Sequence, residues 1–196
     1  MSITLYNDNC LEIMDSMPDA FIDLIYTDPP YLKKYLYLYP EMAKRAKRIL
    51  KRGGSLISIV PQYALYYPEI LEVNNYLKYR WIINMSQFKG NHPRMAMGIE
   101  VTWKPLIWWV NDAYKTKRGF VVDGFENSQP KKKNHKWEQS LTWAEFMLKF
   151  IRIDEIILDP FMGAGTTGIV CKKHNINYIG IEFDSETFKK AQLNIG

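Results

Sequence analysis

Residues 156–173 read IILDPFMGAGTTGIVCKK. A short apolar strand ends at Asp159, a loop sets Gly163, Gly165 and Gly168 in the spacing G-x-G-x-x-G, and Thr166 to Lys173 has helical spacing. Glycines at such positions let the backbone approach a ligand closely, at a helix N-terminus and the carboxyl edge of a sheet. The next strand, in NYIGIEFD, delivers Glu182 at about the ~20-residue spacing of an acid that binds ribose hydroxyls. Strand, glycine loop, helix, strand and acid together describe a nucleoside-cofactor unit. The plainer alternative is a glycine turn with an ion-paired glutamate.

Position in the chain then decides the fold. Only 28 residues follow Gly168 in a chain of 196. That is too few for the remaining strands of a dinucleotide-binding sheet and a substrate domain, so a nicotinamide oxidoreductase is excluded. The sheet has to be completed by strands that come earlier. Ligand sites of open α/β sheets lie along the carboxyl edge, so an earlier strand end must adjoin the glycine loop.

The stretch that fits is LIYTDPPYL, residues 24–32. An apolar run of strand length meets two prolines, which cannot donate to a ladder, so the strand ends by Asp28. The residue before each proline is driven to extended geometry. The result is a stiff ledge: the Asp28 carboxylate, the carbonyls of Pro29 and Pro30, and the ring of Tyr31. Such a ledge suits an amino group that needs acceptors and a flat face. A strand end followed by a proline-rich turn is the alternative.

Other strand-like runs are Ile3–Tyr6, Ser55–Val60, Trp81–Ser86, Thr102–Val110, Ile156–Leu158 and Tyr178–Glu182. Helical spacing appears at Cys10–Ser16, Glu41–Lys51, Pro68–Leu77, Leu141–Ile151 and Thr166–His174. This alternation predicts an α/β fold in one Rossmann-like domain over residues 1–196, a mostly parallel sheet with helices on both faces. The polar segment 111–137 reads as an excursion from the sheet.

The net charge of +5 is less telling than its placement. Lys33 and Lys34 follow the ledge, Lys44, Lys47, Arg48 and Lys51 recur on one helical face, and KKKNHK covers residues 131–136. A polyanion partner would explain these patches, as would ordinary solvated faces. Cys10 and Cys171 lie far apart without C-x-x-C, which predicts free thiols in a reducing cytoplasm, and no zinc site is expected. No run approaches the ~18 apolar residues of a membrane span, and MSITLYNDNC lacks a signal pattern.

DPPY placed before an F-x-G-x-G loop resembles the DNA amino-methyltransferases of permuted motif order, the β class. The resemblance spans nearly the whole chain. NDNCLEIMDSMPDAFIDLIYTDPPY is similar to the family's first block, HKWEQSLTWAEFMLKFI to a block usually reading H-P-x-x-K-P before a helix, and LDPFMGAGTTG with IGIEFD completes the set. It implies S-adenosylmethionine as cofactor, held by Asp159, Phe161, Gly163, Gly165, Thr166, Thr167 and Glu182, with Asp28 beside it. Asn9 stands where the family often has an acid, with Asp8 next to it, leaving either to meet the cofactor adenine. Trp137, Gln139 and Ser140 occupy the block where Lys-Pro is usual.

D-P-P-Y, rather than S-P-P-Y, resembles the members that methylate N6 of adenine. Asp28 and the Pro29 carbonyl would accept the two amino hydrogens, with Pro30 stiffening the ledge and Tyr31 stacking on a base flipped out of double-stranded DNA. Lys33, Lys34 and Arg94 are candidate DNA contacts. The 111–137 excursion is short for a recognition domain, which predicts a short or relaxed target, or reliance on a homodimer or a specificity subunit. Other readings are an N4-cytosine enzyme, a methyltransferase acting on RNA or protein glutamine, and a non-catalytic DNA-binding homologue. The RNA and glutamine families usually put the glycine loop before the ledge, and a non-catalytic protein needs no second intact site.

Overall fold

The structure is a computed structural model and describes residues 1–87, 94–95, 97–113, 120–127 and 141–196. Its first half runs β1 (Ile3–Tyr6), α1 (Cys10–Ser16), β2 (Ile22–Thr27), α2 (Leu38–Ile49), β3 (Leu50–Ile59), α3 (Pro68–Glu72) and β4 (Lys78–Ser86). A small hairpin, β5 (Arg94–Met95) and β6 (Ile99–Glu100), precedes β7 (Trp103–Val110) and β8 (Gly124–Glu126). The chain ends with α4 (Leu141–Phe146), β9 (Ile156–Asp159), α5 (Thr166–Lys173), β10 (Asn177–Ile181) and α6 (Ser185–Ile195).

The main sheet has the order β1-β10-β9-β2-β3-β7-β4-β8. The C-terminal strand β9 sits beside β2, pairing Leu24 with Ile157 and Ile25 with Leu158. The permuted order expected from the short tail is thus realised: Asp28 and Asp159 stand at the ends of neighbouring parallel strands. Every residue of β2 is buried because both faces are covered. Leu24 and Tyr26 pack with Trp143, Phe146, Val170 and Ile195. Ile22 and Ile25 face the opposite way, against Met14, Met42, Ala46 and Ile70. Leu24, Ile25 and Tyr26 thus alternate between two cores, and a register shift between Ile22 and Leu24 puts Ile22 with Ile25.

β7 is the exception to the parallel arrangement, antiparallel to both β3 and β4. β4 ends at the carboxyl edge, where Ser86 pairs with Trp103, so β7 starts there and runs back. Part of the expected excursion also belongs to the sheet: β8 pairs parallel with β4, Asn84 beside Gly124.

Helix α2 begins at Leu38, three residues before Glu41, with Pro40 inside its first turn. The first N–H groups of a helix have no intrahelical partner, so proline loses nothing there. α2 also ends at Ile49, which puts Lys51 in β3, where its ammonium reaches the buried Asp23 at 2.7 Å. The expected basic face of α2 is largely consumed inside the molecule. Arg48 donates to the carbonyls of Met14, Asp15 and Met17 and pairs with Asp19 at 2.7 Å. Arg45 ties α1 to α2 through Asp15 and Glu41, and Lys47 meets Asn111 and Asp112. These cations have structural partners, and on the helix Lys44 and Lys47 stand exposed, Lys47 with its ammonium already paired to Asp112. The stretches after α3 and α4 tighten into 3-10 turns at Val73–Asn75 and Met147–Lys149, shortening both expected helices.

Candidate active site

Asp28 leaves β2 at the carboxyl edge and its backbone stays extended into Pro29 and Pro30, as the two prolines require. The Tyr31 hydroxyl donates to Asp28 Oδ1 and accepts from Lys104 Nζ at 3.0 Å. The Lys104 ammonium also lies 4.8 Å from the centre of the Tyr31 ring. The Tyr63 hydroxyl donates to the Tyr31 carbonyl, holding the turn from the other side. Burial pushes the Asp28 carboxyl above the usual carboxylate range; the charge of Lys104 and the hydrogen bond from Tyr31 partly offset it. The sequence suggested Tyr31 as a platform for a base. Here its hydroxyl also donates to Oδ1 of Asp28, one of the two carboxylate oxygens.

Asp159 ends β9 almost fully buried. Thr27 Oγ1 donates to its Oδ1 at 2.9 Å and the Phe161 N–H at 3.3 Å, with a further bond from the Thr167 hydroxyl. Burial still dominates and pushes this carboxyl up to about 7, and the nearby Asp28 charge adds to the rise.

The glycines of the loop divide their tasks. Gly163 has a positive φ of 52°, and a Cβ there would meet nothing within 4 Å, so its open side faces the cavity. A Cβ on Gly165 or Gly168 would strike Ile195 Cδ1 at 2.8 or 2.5 Å, so these two permit close packing of α6. Only the first glycine serves ligand approach directly, and Gly165 also needs its φ of 86° to start α5.

Glu182 accepts from the Gly163 N–H at 3.1 Å and from the Asp184 N–H at 2.9 Å, which orients its carboxylate without an ion pair. Asn9 uses its side-chain oxygen to cap α1 at the Leu11 N–H, 3.0 Å away, while Asp8 accepts from the Asn9 N–H at 2.7 Å. Asp8, Asn9, Glu182 and Gly163 share one cavity of about 600 Å³ with Asp28, Pro29, Pro30 and Tyr31. A smaller cavity of about 190 Å³ is lined by Asp28, Asp159, Phe161, Thr166, Thr167 and Trp143. Asp28 belongs to both, so the ledge and the glycine loop form one continuous site.

Tyr35 and Tyr37 line the larger cavity, whereas Tyr39 is buried with its hydroxyl on the Ile59 carbonyl. Trp143 stacks on Tyr26 with centroids 4.1 Å apart and accepts the Tyr26 hydroxyl at its carbonyl. Sequence reading missed Lys104 and the wall formed by Trp143. Trp143 could have been marked by its place in the block HKWEQSLTW, but Lys104 carries no local signal. Trp137, Gln139 and Ser140 lie outside the described residues. Lys33 and Lys34 are exposed beside the ledge, over the rings of Tyr67 and Tyr35. Arg94 sits on the hairpin, 3.4 Å from Glu100.

Cys10 and Cys171 are free and buried, and burial pushes the Cys10 thiol up to about 12, leaving it inert. Among the described residues no three His, Cys, Asp or Glu side chains cluster to hold a metal ion. Among them, too, no helix is long and apolar enough to cross a membrane.

Comparison with known proteins agrees with this geometry. A family model described as DNA methylase matches residues 22–193. The type II methyltransferase M.HpaI of Haemophilus parainfluenzae is 25% identical over 98% of this chain and 74% of its own length. The DNA adenine methyltransferase YhdJ of Escherichia coli is 22% identical over 95% of this chain and 80% of its own. The crystal structure of the M1.HpyAVI-SAM complex superposes with a TM-score of 0.80 at 23% identity, covering 99% of both chains. The cytosine-N4-specific PvuII DNA methyltransferase gives 0.83 at 16% identity, over all of this chain and 87% of its own.

Proposed function

This chain belongs to the DNA methylase family, and we propose that it transfers a methyl group from S-adenosylmethionine to the exocyclic N6 of adenine in DNA. The observation that carries the reading is the sharing of Asp28 between the two cavities, which places an amine-accepting ledge against a nucleoside-sized pocket.

The residues present fit this cofactor. Gly163 turns an open side to the larger cavity, Glu182 offers an oriented carboxylate to vicinal hydroxyls, and Asp8 and Asn9 supply polar groups across from it. Asp28 and Asp159 put two carboxylates on the smaller cavity, a donor set for a cationic ligand. When bound, S-adenosylmethionine supplies an electrophilic methyl group on a positively charged sulfur.

The chain's own part is to improve a poor nucleophile. An exocyclic amine has its lone pair delocalised into the ring. Acceptors at Asp28 and the Pro29 carbonyl hold its two hydrogens and make the nitrogen more tetrahedral, so its lone pair is less delocalised, and positioning and electrostatics do most of the work. Tyr31 provides the floor under the base. A paired base cannot reach this ledge and has to be flipped out, at a cost of a few kcal/mol. The aspartate in D-P-P-Y supports adenine; N4 of cytosine is the alternative target.

Lys33 and Lys34 on the rim, with Arg94, are assigned to phosphates, which position DNA without reading it. The placement of β8 in the main sheet leaves still less of 111–137 for base readout. A short or relaxed target, or dependence on a second subunit, follows, with strongly salt-sensitive binding. The setting is the cytoplasm, where the DNA is and where free thiols persist.

Duplex DNA incubated with the chain and S-adenosylmethionine, then digested to nucleosides, should yield N6-methyladenine by mass spectrometry. N4-methylcytosine would transfer the reading to cytosine, and unmodified nucleosides would refute it. For the cofactor, calorimetry should show Glu182→Ala weakening S-adenosylmethionine by roughly tenfold to a hundredfold, the worth of charge-assisted hydrogen bonds. Unchanged affinity would remove Glu182 from the site.

A further inference from the structure

Lys104 is the one residue that reaches the ledge from the reversed strand. β7 runs against β3 in a register pairing Ile59 with Leu106 and Ser58 with Ile107. The residues before Leu106 therefore project past the carboxyl end of β3, over the turn that leaves β2. Backbone bonds fix them there on both sides. The Val60 N–H donates to the Pro105 carbonyl at 3.0 Å, and the Gln62 side-chain amide donates to the Trp103 carbonyl. Lys104 stands between these two anchors, half-buried, with its ammonium on the Tyr31 hydroxyl and over the Tyr31 ring.

We propose that Lys104 is a positioning residue for methyl transfer: it holds the Tyr31 ring in place as the floor for the target base and sets a fixed positive charge beside the Asp28 carboxylate. The inference rests on the assignment of Asp28 to the target amine. Two physical requirements meet at this lysine. When the amine displaces the Tyr31 hydroxyl from Asp28 Oδ1, the bond that the hydroxyl oxygen accepts from the Lys104 ammonium remains, and it anchors the ring without movement. The ring also gains from the cation, whose attraction to an aromatic face is worth more when both are shielded from water.

The second requirement concerns charge. Only an ionised carboxylate offers acceptors alone to an N–H; once protonated it becomes a donor as well. Among the described residues, the Tyr31 hydroxyl after β2, Tyr26 on β2, Tyr39 on α2 and the Asp159 carboxyl on β9 stand around Asp28. Tyr26, Tyr31 and Tyr39 are neutral, and Asp159 repels. Burial favours the protonated form, and among the described residues the positive charge of Lys104 acts against it. Removing that charge raises the Asp28 midpoint, so the ionised form is reached only at higher pH.

The test uses the whole chain with ¹³C-labelled aspartate, the Asp28 carboxyl signal being assigned by its loss in Asp28→Asn. In Lys104→Met, which keeps the apolar stem and removes the charge, the Asp28 midpoint should move to higher pH, and in Lys104→Arg it should stay near the wild-type value. Single-turnover methylation by Lys104→Met should fall roughly tenfold at pH 6 and recover most of that by pH 9, as expected when an essential group must be ionised. An unmoved Asp28 midpoint in Lys104→Met, or an equal loss of rate at every pH, would overturn the proposal. If the wild-type chain leaves DNA unmethylated, the functional reading falls, yet the titration still decides the role of Lys104.

Discussion

Replacing Asp28 by alanine is expected to slow methyl transfer to DNA by roughly 10³-fold while affinity for S-adenosylmethionine stays within about tenfold. The two halves of the expectation have different origins. The rate depends on an acceptor aimed at the target nitrogen, and the variant leaves only the Pro29 carbonyl on the ledge. Preorganised groups of this kind in a shielded site each contribute two to three orders of magnitude. Cofactor affinity depends more on Glu182, the loop at Gly163 and the Asp8–Asn9 wall, which are held by hydrogen bonds of their own. Asp28 lines both cavities, so a modest loss is expected rather than none. The fold should tolerate the change, because alanine removes a carboxylate whose burial is unfavourable and leaves Tyr31 its bond from Lys104. Single-turnover kinetics beside calorimetry on the same preparation separate the two quantities. Retention of most of the activity would show that the ledge is a turn and nothing more.

The legible part of this site was the part encoded locally. Prolines at 29 and 30 end a strand wherever it lies, and three glycines at G-x-G-x-x-G mark a loop before a helix, so Asp28, Asp159 and Glu182 could be placed from sequence. Their adjacency followed from a length argument, since the tail after Gly168 is too short to finish a sheet. The direction of β7 was not legible. An apolar run such as WKPLIWWV reads the same in a parallel or an antiparallel strand, and the direction decides whether Lys104 lies at the carboxyl edge or at the opposite one. Charges were misread for a related reason. Lys47, Arg48 and Lys51 resemble a solvent face on a helical wheel, yet their partners Asp112, Asp19 and Asp23 come from other elements. Helix spacing fixes which residues share a face, not what that face meets. The glycine loop shows the same limit: spacing alone does not tell that Gly165 and Gly168 answer to Ile195, on a C-terminal helix that the alternation of runs left unmarked.

Asp159 shows what the site costs the fold, and it yields the second large expected effect. Its carboxyl is pushed up to about 7 when folded, against about 3.9 for an aspartate in an unfolded chain. A folded value raised in this way favours the protonated form, so the associated stability is fully present below about pH 4 and is lost as pH rises towards 7. Above that window the protein carries a buried charge with no cation beside it among the described residues. Asp159→Asn keeps the shape and still accepts from Thr27 and the Phe161 N–H through its amide oxygen. The cofactor-free variant is therefore expected to be more stable than the wild type by about 2 kcal/mol at pH 8, roughly half of what the displacement corresponds to, and nearly equal to it at about pH 4. Urea unfolding of both proteins at the two pH values measures this. The same substitution removes one of two carboxylates from the smaller cavity, so affinity for the cationic cofactor should fall as stability rises. A variant less stable than the wild type at pH 8 would mean that the hydrogen bonds of Asp159 outweigh its desolvation, and that the buried acid is kept for the fold instead of for the ligand.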